Sequence, residues 1–210
     1  MNEIQNKIVI YGAGGHAKVV FETIQAAAVA KVAFLVDANP GAASIMFKDH
    51  RVYNEQEGMI ELRKCQHSAF VAIGNNAIRE KLIETIEQHK ISLSTIIHPS
   101  VILSKTASVE PGTLLMPRSV INADVSIGKG AIINTAAIVE HDVRLGNYSH
   151  VGPGAILCGG VSIGDGTLIG AGSIILPGVK IGSAARVGAG AVVTAHVPDR
   201  ITVKGSPARP

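Results

Sequence analysis

The sequence predicts two domains: an α/β Rossmann-like domain over residues 1–95, followed by an all-β parallel β-helix over residues 96–210. Three observations support this prediction. A short β-branched run near the N-terminus ends in a glycine-rich turn. From Ile96 onward the chain repeats every six residues for seventeen consecutive units without a slip. Within that repeat valine recurs every eighteen residues, so three units make one coil of a β-helix.

The N-terminal domain shows the order of a Rossmann-like βαβ unit. A predicted strand over residues 7–11 leads into the turn GAGGHA, a predicted helix over residues 18–28 and a second strand over residues 32–37. One further strand is clear at residues 69–73, followed by a helix from about residue 77 to residue 89. A dinucleotide normally occupies two such halves, so this single half suits a mononucleotide or a nucleotide sugar better than NAD.

The turns of this domain are candidate ligand sites. Glycines let the backbone approach a ligand, and the N-terminus of a helix favours a phosphate. The same glycines also fit a tight turn that binds nothing, and the motif alone does not separate the two interpretations. The candidate substrate-binding residues are Gly14, Gly15, His16, Asp37, Gly74 and Asn75.

The six-residue repeat defines the second domain. Neither a helix nor an alternating strand would hold an apolar residue in phase over a hundred residues. Glycine is absent from the third position of the units that end on the recurring valine, so these units form a face of their own. The second position is aliphatic in every unit, at Ile97, Leu103, Val109, Leu115, Ile121, Ile127, Ile133, Val139, Leu145, Val151, Leu157, Ile163, Ile169, Ile175, Ile181, Val187 and Val193.

Composition and charge exclude several functions. No apolar run approaches the ~18 residues of a membrane span, so we expect no membrane insertion and no signal peptide. Two cysteines make neither a disulfide framework nor a metal cluster, and we expect a cytoplasmic protein without a metal. The net charge is only +3, and the basic residues after Lys180 lack interleaved aromatics, which argues against nucleic acid and leaves an anionic ligand open.

The unit IVEHDV is the clearest interruption of the repeat. It places His141 between Glu140 and Asp142 at a predicted corner. A carboxylate on one ring nitrogen fixes the tautomer and leaves the other nitrogen as a base. One coil later the same column holds Gly159, which makes room beside the imidazole and frees backbone N–H groups for a developing oxyanion. A solvated corner histidine is the alternative interpretation, but the two carboxylates and the glycine favour catalysis.

Several motifs together resemble the NeuD/PglD-type sugar acetyltransferases. They are YGAGGHAKV, the acid Asp37, IGNN, IIHPSV, INTAAIVEHD and KGSPAR, and they cover nearly the whole chain. The resemblance implies a nucleotide-sugar-binding domain joined to a left-handed β-helix, in a homotrimer that holds acetyl-CoA between two prisms. Within the family the sequence is most similar to the bacillosamine-pathway enzymes. These transfer acetyl from acetyl-CoA to the 4-amino group of a UDP-linked amino-dideoxy sugar.

The resemblance also implies roles for individual residues. The general base falls on His141, its supporting acid on Asp142, and the backbone donor for the thioester oxygen on Gly159. Direct transfer needs no acyl-enzyme, and Cys158 lacks an obvious adjacent base of its own. A substrate contact falls on Asn134, and acetyl-CoA contacts fall on His150, Gly159, Ala171, Ala189 and Lys204.

Three other functions compete with this one. The first is O-acetyl transfer to a sialic acid or another sugar on the same scaffold. The second is a zinc hydratase built on a left-handed prism, which needs three converging histidines, and a third partner for His141 and His150 is not evident. The third is a non-catalytic binding or scaffold protein, against which the corner at His141 and the full glycine turn argue.

Overall fold

The computed structural model describes residues 6–41 and 47–210, and the chain divides into two units, Met1–Ile96 and Ile97–Pro210. The first unit is built on a parallel sheet in the order β3-β2-β1-β4. Its strands are β1 (Lys7–Tyr11), β2 (Lys31–Val36), β3 (Val52–Tyr53) and β4 (Ser68–Val71). The helices described in full are α1 (Gly15–Ala27), α2 (Glu55–Cys65) and α3 (Asn76–Gln88).

The Rossmann-like prediction is confirmed, with two differences in detail. Helix α1 begins at Gly15 rather than at residue 18, because Gly14 with its extended backbone is already the N-cap. Strand β3 and helix α2 were not predicted. A two-residue strand shows no alternation, and α2 buries only Gly58 and Leu62, so its apolar stripe is too narrow to recognise.

The second unit is a left-handed parallel β-helix of two-residue strands, numbered β5 to β22 in chain order. A five-stranded sheet contains β7 (Ser108–Val109), β10 (Ser126–Ile127), β13 (Arg144–Leu145), β16 (Ser162–Ile163) and β19 (Lys180–Ile181). A seven-stranded sheet contains β5 (Ile96–Ile97), β8 (Leu114–Leu115), β11 (Ile132–Ile133), β14 (His150–Val151), β17 (Leu168–Ile169), β20 (Arg186–Val187) and β22 (Thr202–Val203). A six-stranded sheet contains β6 (Ile102–Leu103), β9 (Val120–Ile121), β12 (Ile138–Val139), β15 (Ile156–Leu157), β18 (Ile174–Ile175) and β21 (Val192–Val193).

The register between coils is the one that the repeat predicts. Strand β12 pairs with β15 so that Ile138 lies opposite Ile156, eighteen residues later, and the other sheets repeat this pairing. The second-position residues point inward and form one continuous apolar core. The first coil is the exception, because no coil precedes it: Leu103 remains 36% exposed.

The corners of the prism depend on two kinds of glycine. The fifth residue of most units turns the chain with a positive φ, as at Gly154 (+64°) and Gly160 (+69°). The third residue of a unit comes directly after a strand. After the strands of the five- and seven-stranded sheets its backbone lies so near the next coil that a side chain would clash with it. At Gly164, for example, a Cβ atom would lie 2.5 Å from the backbone nitrogen of Ser183. From Gly146 onward, third-position glycine is therefore a packing requirement at two corners, and its absence from the third corner identifies that corner as different.

In the part of the chain that the structure describes, no helix is long and apolar enough to cross a membrane.

We predict that Gly164→Ala lowers the stability of the β-helix by about 1–3 kcal/mol, the usual cost of overpacking. The new methyl group has only backbone to push against, so the neighbouring coil must shift. Thermal unfolding followed by circular dichroism measures the change. Gly154→Asn is the control, since its Cβ meets open space and asparagine tolerates the positive φ. Equal melting temperatures for Gly164→Ala and the wild type would contradict the packing argument.

Candidate functional site

The unit that follows strand β12 forms an exposed corner with a paired imidazole and carboxylate. Nδ1 of His141 lies 2.8 Å from Oδ2 of Asp142, and the two side chains are 63% and 66% exposed. The carboxylate accepts a hydrogen bond from Nδ1–H, so the ring is held in the tautomer whose Nε2 has a free lone pair. This arrangement leaves Nε2 able to take a proton from a ligand.

Asp142 turns the chain with a positive φ, as the other residues of its column do. Its φ is +61°, and the φ values of Asp124, Gly160 and Gly178 are +58°, +69° and +68°. A non-glycine residue is uncommon at such a φ, although aspartate tolerates it better than most residues do. The strain places the carboxylate next to the ring of His141. Residues held in this way cluster at functional sites.

Glu140 has a different role from Asp142. Its Oε2 accepts a hydrogen bond of 2.9 Å from Nδ2 of Asn122 in the preceding coil. The carboxylate is thereby fixed near His141 without bonding to it. The pKa of His141 is raised above its ordinary value, chiefly by the hydrogen bond to Asp142 and further by the charges of Asp142 and Glu140, against a smaller opposing effect of desolvation.

Gly159 lies directly against the imidazole. A Cβ atom at this position would be 2.7 Å from both Cε1 and Nε2 of His141, so only glycine fits while the ring keeps its place. The column arithmetic of the sequence, which put Gly159 one coil above His141, therefore agrees with the geometry. The space beside Nε2 is open because residue 159 has no side chain.

Where it is not proline, the fourth residue of a unit carries an N–H group that the coil-to-coil ladder does not use. At the corner after the five-stranded sheet, side chains of the next coil accept three of these hydrogen bonds. Oδ1 of Asn147 accepts from Lys129 N at 3.0 Å, Oδ1 of Asp165 from Asn147 N at 2.7 Å, and Oδ1 of Asp199 from Ser183 N at 2.8 Å. These three backbone donors are satisfied within the chain.

The corner at His141 has no such acceptors. Gly159 lacks a side chain that could accept from the N–H of His141, and Pro177 in the next coil cannot accept from the N–H of Gly159. None of the described residues accepts a hydrogen bond from the N–H of Gly159. A backbone donor beside a base is the arrangement that stabilises the oxyanion of an acyl-transfer reaction.

The corner after the seven-stranded sheet exposes a similar row. Ala171 and Ala189 occupy two of its fourth positions, both are exposed, and no described residue accepts from their N–H groups. Nearby, Nδ2 of Asn134 lies 3.1 Å from Nε2 of His150, and Oδ1 of Asn134 accepts from Thr135 N. The structure therefore brings Asn134 and His150 together. This row of donors suits an extended ligand that carries carbonyl groups.

Lys204 lies apart from the fourth-position rows. It is exposed and makes a small antiparallel bridge with Arg209 after the last coil.

In the first unit, the predicted glycines border open space. A Cβ atom at Gly14, Gly15 or Gly74 would meet nothing within 4 Å. No side chain caps the N-terminus of α1, so its first N–H groups remain available to an anion. Asp37 organises this turn: its Oδ2 accepts from Ala13 N at 2.7 Å and its Oδ1 from Asn39 N at 2.8 Å.

Two other predicted residues, Asn75 and His16, differ in their hydrogen bonding. Asn75 is the N-cap of α3, where its Oδ1 accepts from Ile78 N at 3.1 Å. His16, in the first turn of α1, has a buried Nε2 with no hydrogen-bond partner among the described residues. The pKa of His16 is lowered, first by burial and then by the charge of Arg79. His16 is therefore a neutral imidazole beside the glycine turn.

A cavity of about 550 Å³ lies at the carboxyl ends of the strands in this unit. Its walls are mostly apolar, with Val36, Ile73 and Leu82, and it carries the charged groups of Asp37, Glu55 and Lys81. The sequence analysis missed Glu55 because helix α2 was not predicted, and it missed Lys81 because α3 was predicted from its pattern alone. A long helical side chain has no sequence feature that tells which cavity it borders.

Other chemistry is not assembled in the described part of the chain. No group of three His, Cys, Asp or Glu side chains is close enough there to hold a metal ion. Cys158 is a half-buried free thiol.

Comparison with known proteins assigns both units to described families. The family described as "PglD N-terminal domain" matches residues 7–86, and "Bacterial transferase hexapeptide (six repeats)" matches residues 160–195. A curated relative, the UDP-N-acetylbacillosamine N-acetyltransferase of Bacillus subtilis (strain 168), is 37% identical over 112 residues. That match covers 50% of this chain and 49% of the relative, so it spans about half the length of each.

Solved structures match over nearly the whole chain. The GDP-perosamine N-acetyltransferase of Caulobacter crescentus, in complex with CoA and GDP-perosamine, is 42% identical, with a TM-score of 0.92 over 98% of this chain and 96% of that one. Two of its structures carry alanine or asparagine in place of one histidine. The acetyltransferase domain of PglB from Neisseria gonorrhoeae FA1090, in complex with acetyl coenzyme A, is 33% identical, with a TM-score of 0.89 over 98% of both chains.

We predict that the pKa of His141 lies above 6.5 and falls in Asp142→Asn, because the amide removes the charge that stabilises the imidazolium. Glu140→Gln should lower this pKa less, since Glu140 acts only through space. NMR titration of the ring, assigned with His141→Gln, measures the midpoint. Glu84→Gln, an exposed change on α3, should leave the midpoint where it is. A wild-type midpoint at or below 6.5 would show that the pair does not form in solution.

Proposed function

Because the chain belongs to the NeuD/PglD-type family of hexapeptide-repeat sugar acetyltransferases, we propose that it transfers acetyl from acetyl-CoA to the amino group of a nucleotide-linked amino sugar. The observation that carries the proposal is the corner where the ring of His141, paired with Asp142, lies against Gly159, whose N–H has no acceptor among the described residues. That corner holds a base and an oxyanion donor side by side. Acyl transfer to an amine needs both.

In the proposed reaction the sugar amine attacks the carbonyl carbon of the thioester in its neutral form, because an ammonium has no free electron pair. Nε2 of His141 takes the proton that the nitrogen loses as the new C–N bond forms. The C–S bond then breaks, and the coenzyme A thiolate takes this proton from the imidazolium and leaves as the thiol. Asp142 stabilises the imidazolium that exists between these steps. No bond to the protein forms, and Cys158 has no part in the reaction.

The N–H of Gly159 is proposed as the donor for the thioester oxygen. As the amine attacks, negative charge develops on that oxygen, and a fixed donor stabilises it more in the transition state than in the ground state. Any side chain at residue 159 would displace the ring of His141, so this one glycine serves both groups.

Acetyl-CoA is proposed to bind along the corner after the seven-stranded sheet. The N–H groups of Ala171 and Ala189 are spaced by one coil and face solvent, which suits the amide carbonyls of pantetheine. Asn134 and His150 lie on the same side of the prism, where they suit the acetyl end. Lys204 adds a positive charge beyond the last coil for a phosphate of the coenzyme.

The nucleotide sugar is proposed to bind the first unit. The uncapped N-terminus of α1 suits the diphosphate, and the apolar cavity beside Asp37 suits the base and ribose. The sequence prediction of a 4-amino-dideoxy sugar linked to UDP is kept as the finer form of the proposal. It is supported by the similarity to the bacillosamine enzyme of Bacillus subtilis.

A GDP-linked sugar is a second candidate, favoured by Glu55 on the cavity wall. One edge of guanine offers adjacent N1–H and N2–H donors, which a carboxylate accepts together, whereas uracil offers one N–H between two carbonyl oxygens. The similar Caulobacter enzyme is an N-acetyltransferase for GDP-perosamine. O-acetylation of a sialic acid, the alternative raised by the sequence, has no comparable observation in its favour.

We predict that the wild-type protein consumes acetyl-CoA with a UDP- or GDP-linked 4-amino-dideoxy sugar, and that His141→Ala lowers kcat by ~10²–10⁴-fold. The base acts in the chemical step, so the KM for acetyl-CoA should change little. Because the pKa of His141 is raised and the base works deprotonated, the wild-type rate should rise with pH through a midpoint above 6.5. Initial rates by thiol release measure all three quantities.

Cys158→Ala is the matched control, and it should keep near-normal kcat. A folded His141→Ala protein with normal turnover would remove His141 from the mechanism. Acetylation of the matching 4-hydroxy sugar, with none of the amine, would replace the proposal by O-acetyl transfer.

We predict a homotrimer whose contacts involve the six-stranded sheet. The first residue of each of its strands points outward and is aliphatic, at Ile102, Val120, Ile138, Ile156, Ile174 and Val192. The outward column of the five-stranded sheet is instead polar, at Ser108, Ser126, Arg144, Ser162 and Lys180. Ile156→Arg should therefore shift the mass measured by light scattering from trimer to monomer, whereas Ser108→Arg should leave a trimer. A monomeric wild type at micromolar concentration would contradict the assembly.

A further inference from the structure

Arg79 is the largest fully buried side chain in the part of the chain that the structure describes, with an exposure of 0%. It lies in the first turns of α3, on the same helical face as Ile83 and Ile86. These residues follow the spacing of an apolar stripe, so a charged residue in that phase is unusual. Burying a guanidinium costs free energy unless its hydrogen bonds are met, and such residues are kept where their charge or shape is used.

The guanidinium holds the turn between β4 and α3. Its Nη1 donates to the carbonyl oxygens of Ile73 at 3.0 Å and Gly74 at 3.2 Å, and its Nη2 donates to Oδ1 of Asn76 at 2.9 Å. The planar fork thus fixes the backbone of the residues just before α3. The carbonyl groups of Ile73 and Gly74 are thereby held toward Arg79.

The turn that Arg79 fixes packs against the glycine turn after β1. Strands β1 and β4 are neighbours in the sheet, so both turns leave the same edge. At Gly12, with φ of +103°, a Cβ atom would lie 2.9 Å from Ala72 O and from Cγ1 of Ile73. This contact leaves no room for one turn to shift alone. A residue that anchors the second turn therefore also steadies the first.

The charge of Arg79 reaches the glycine turn. Burial lowers the pKa of Arg79 to about 10, an effect that Glu80 partly opposes, so the group stays protonated at neutral pH. Its charge helps to lower the pKa of His16 in the first turn of α1. Charges buried in protein are screened by salt much less than exposed lysines are.

We propose that Arg79 is a positioning residue for the sugar nucleotide, one that fixes both turns and supplies from behind them a permanent positive charge for the diphosphate. The inference rests on the proposed function, because it takes a nucleoside diphosphate as the ligand of this edge. Arg79 is buried and does not touch the ligand. It acts through the backbone of Gly74 and the neutral ring of His16.

Two variants separate charge from hydrogen bonding. Arg79→Lys keeps the charge and loses the fork, whereas Arg79→Gln keeps polar donors and loses the charge. Calorimetry measures the affinities for UDP, GDP, uridine and guanosine in the full chain. The ratio of diphosphate to nucleoside affinity should fall about tenfold in Arg79→Gln, as expected for one screened charge, and should stay within about threefold of the wild type in Arg79→Lys. In steady-state kinetics, Arg79→Gln should raise the KM for the sugar nucleotide and leave both kcat and the KM for acetyl-CoA unchanged.

Arg63→Gln, an exposed change at the end of α2, is the matched control and should leave the ratio unchanged. If Arg79→Gln does not fold, Arg79→Lys and Asn76→Ala decide. Both keep the positive charge, so both should keep the ratio of diphosphate to nucleoside affinity within about threefold of the wild type, and a tenfold fall of the ratio in either would overturn the inference. A parallel loss for diphosphates and nucleosides, or an equal loss of the ratio in Arg79→Lys and Arg79→Gln, would overturn the inference. A wild type that binds neither UDP nor GDP would instead overturn the nucleotide part of the proposed function.

Discussion

The hydrogen bonding of the backbone N–H at the fourth position of each unit, where that residue is not proline, is the constraint on which the β-helix sites depend. The hydrogen bonds between coils do not use this N–H, so it needs a side-chain acceptor or a ligand. Asn147, Asp165 and Asp199 provide it at one corner. Where the column instead holds glycine, alanine or proline, the donor is left for a ligand. The inert scaffold and the candidate site therefore differ by small changes in one column, which leave the fold intact.

A small change at one position also explains the strained residue at the site, Asp142. In the next two coils of the column Gly160 and Gly178 make this turn, whereas the corner at His141 turns on Asp142. The strain costs stability locally, and the continuous aliphatic core can offset it. This conformation places the carboxylate of Asp142 within hydrogen-bond distance of the His141 ring. In the first unit, Asp37 and Arg79 work in a similar way, because each binds backbone groups of a turn and leaves the front of that turn open.

Much of the β-helix could be predicted because its period is strict. Adding one coil of eighteen residues to His141 gives Gly159, and this arithmetic needs no structural information. The bond between Asn122 and Glu140 follows the same arithmetic, yet it was missed because polar pairs in a column look like ordinary surface. Strand β3 and helix α2 were missed for lack of length and of an apolar stripe. The burial of Arg79 could have been predicted from the sequence, because this charged residue has the helical spacing of the apolar residues Ile83 and Ile86.

The central claim is tested most directly by asking whether coenzyme A binds the backbone N–H groups that have no acceptor within the described chain. Amide NMR spectra of selectively labelled protein, recorded with and without coenzyme A, report each N–H separately. The account predicts shifts for Gly159, Ala171 and Ala189, and unchanged signals for Lys129, Asn147 and Ser183, whose N–H groups are already bonded within the chain. Shifts confined to the second group, or spread evenly over both, would contradict it.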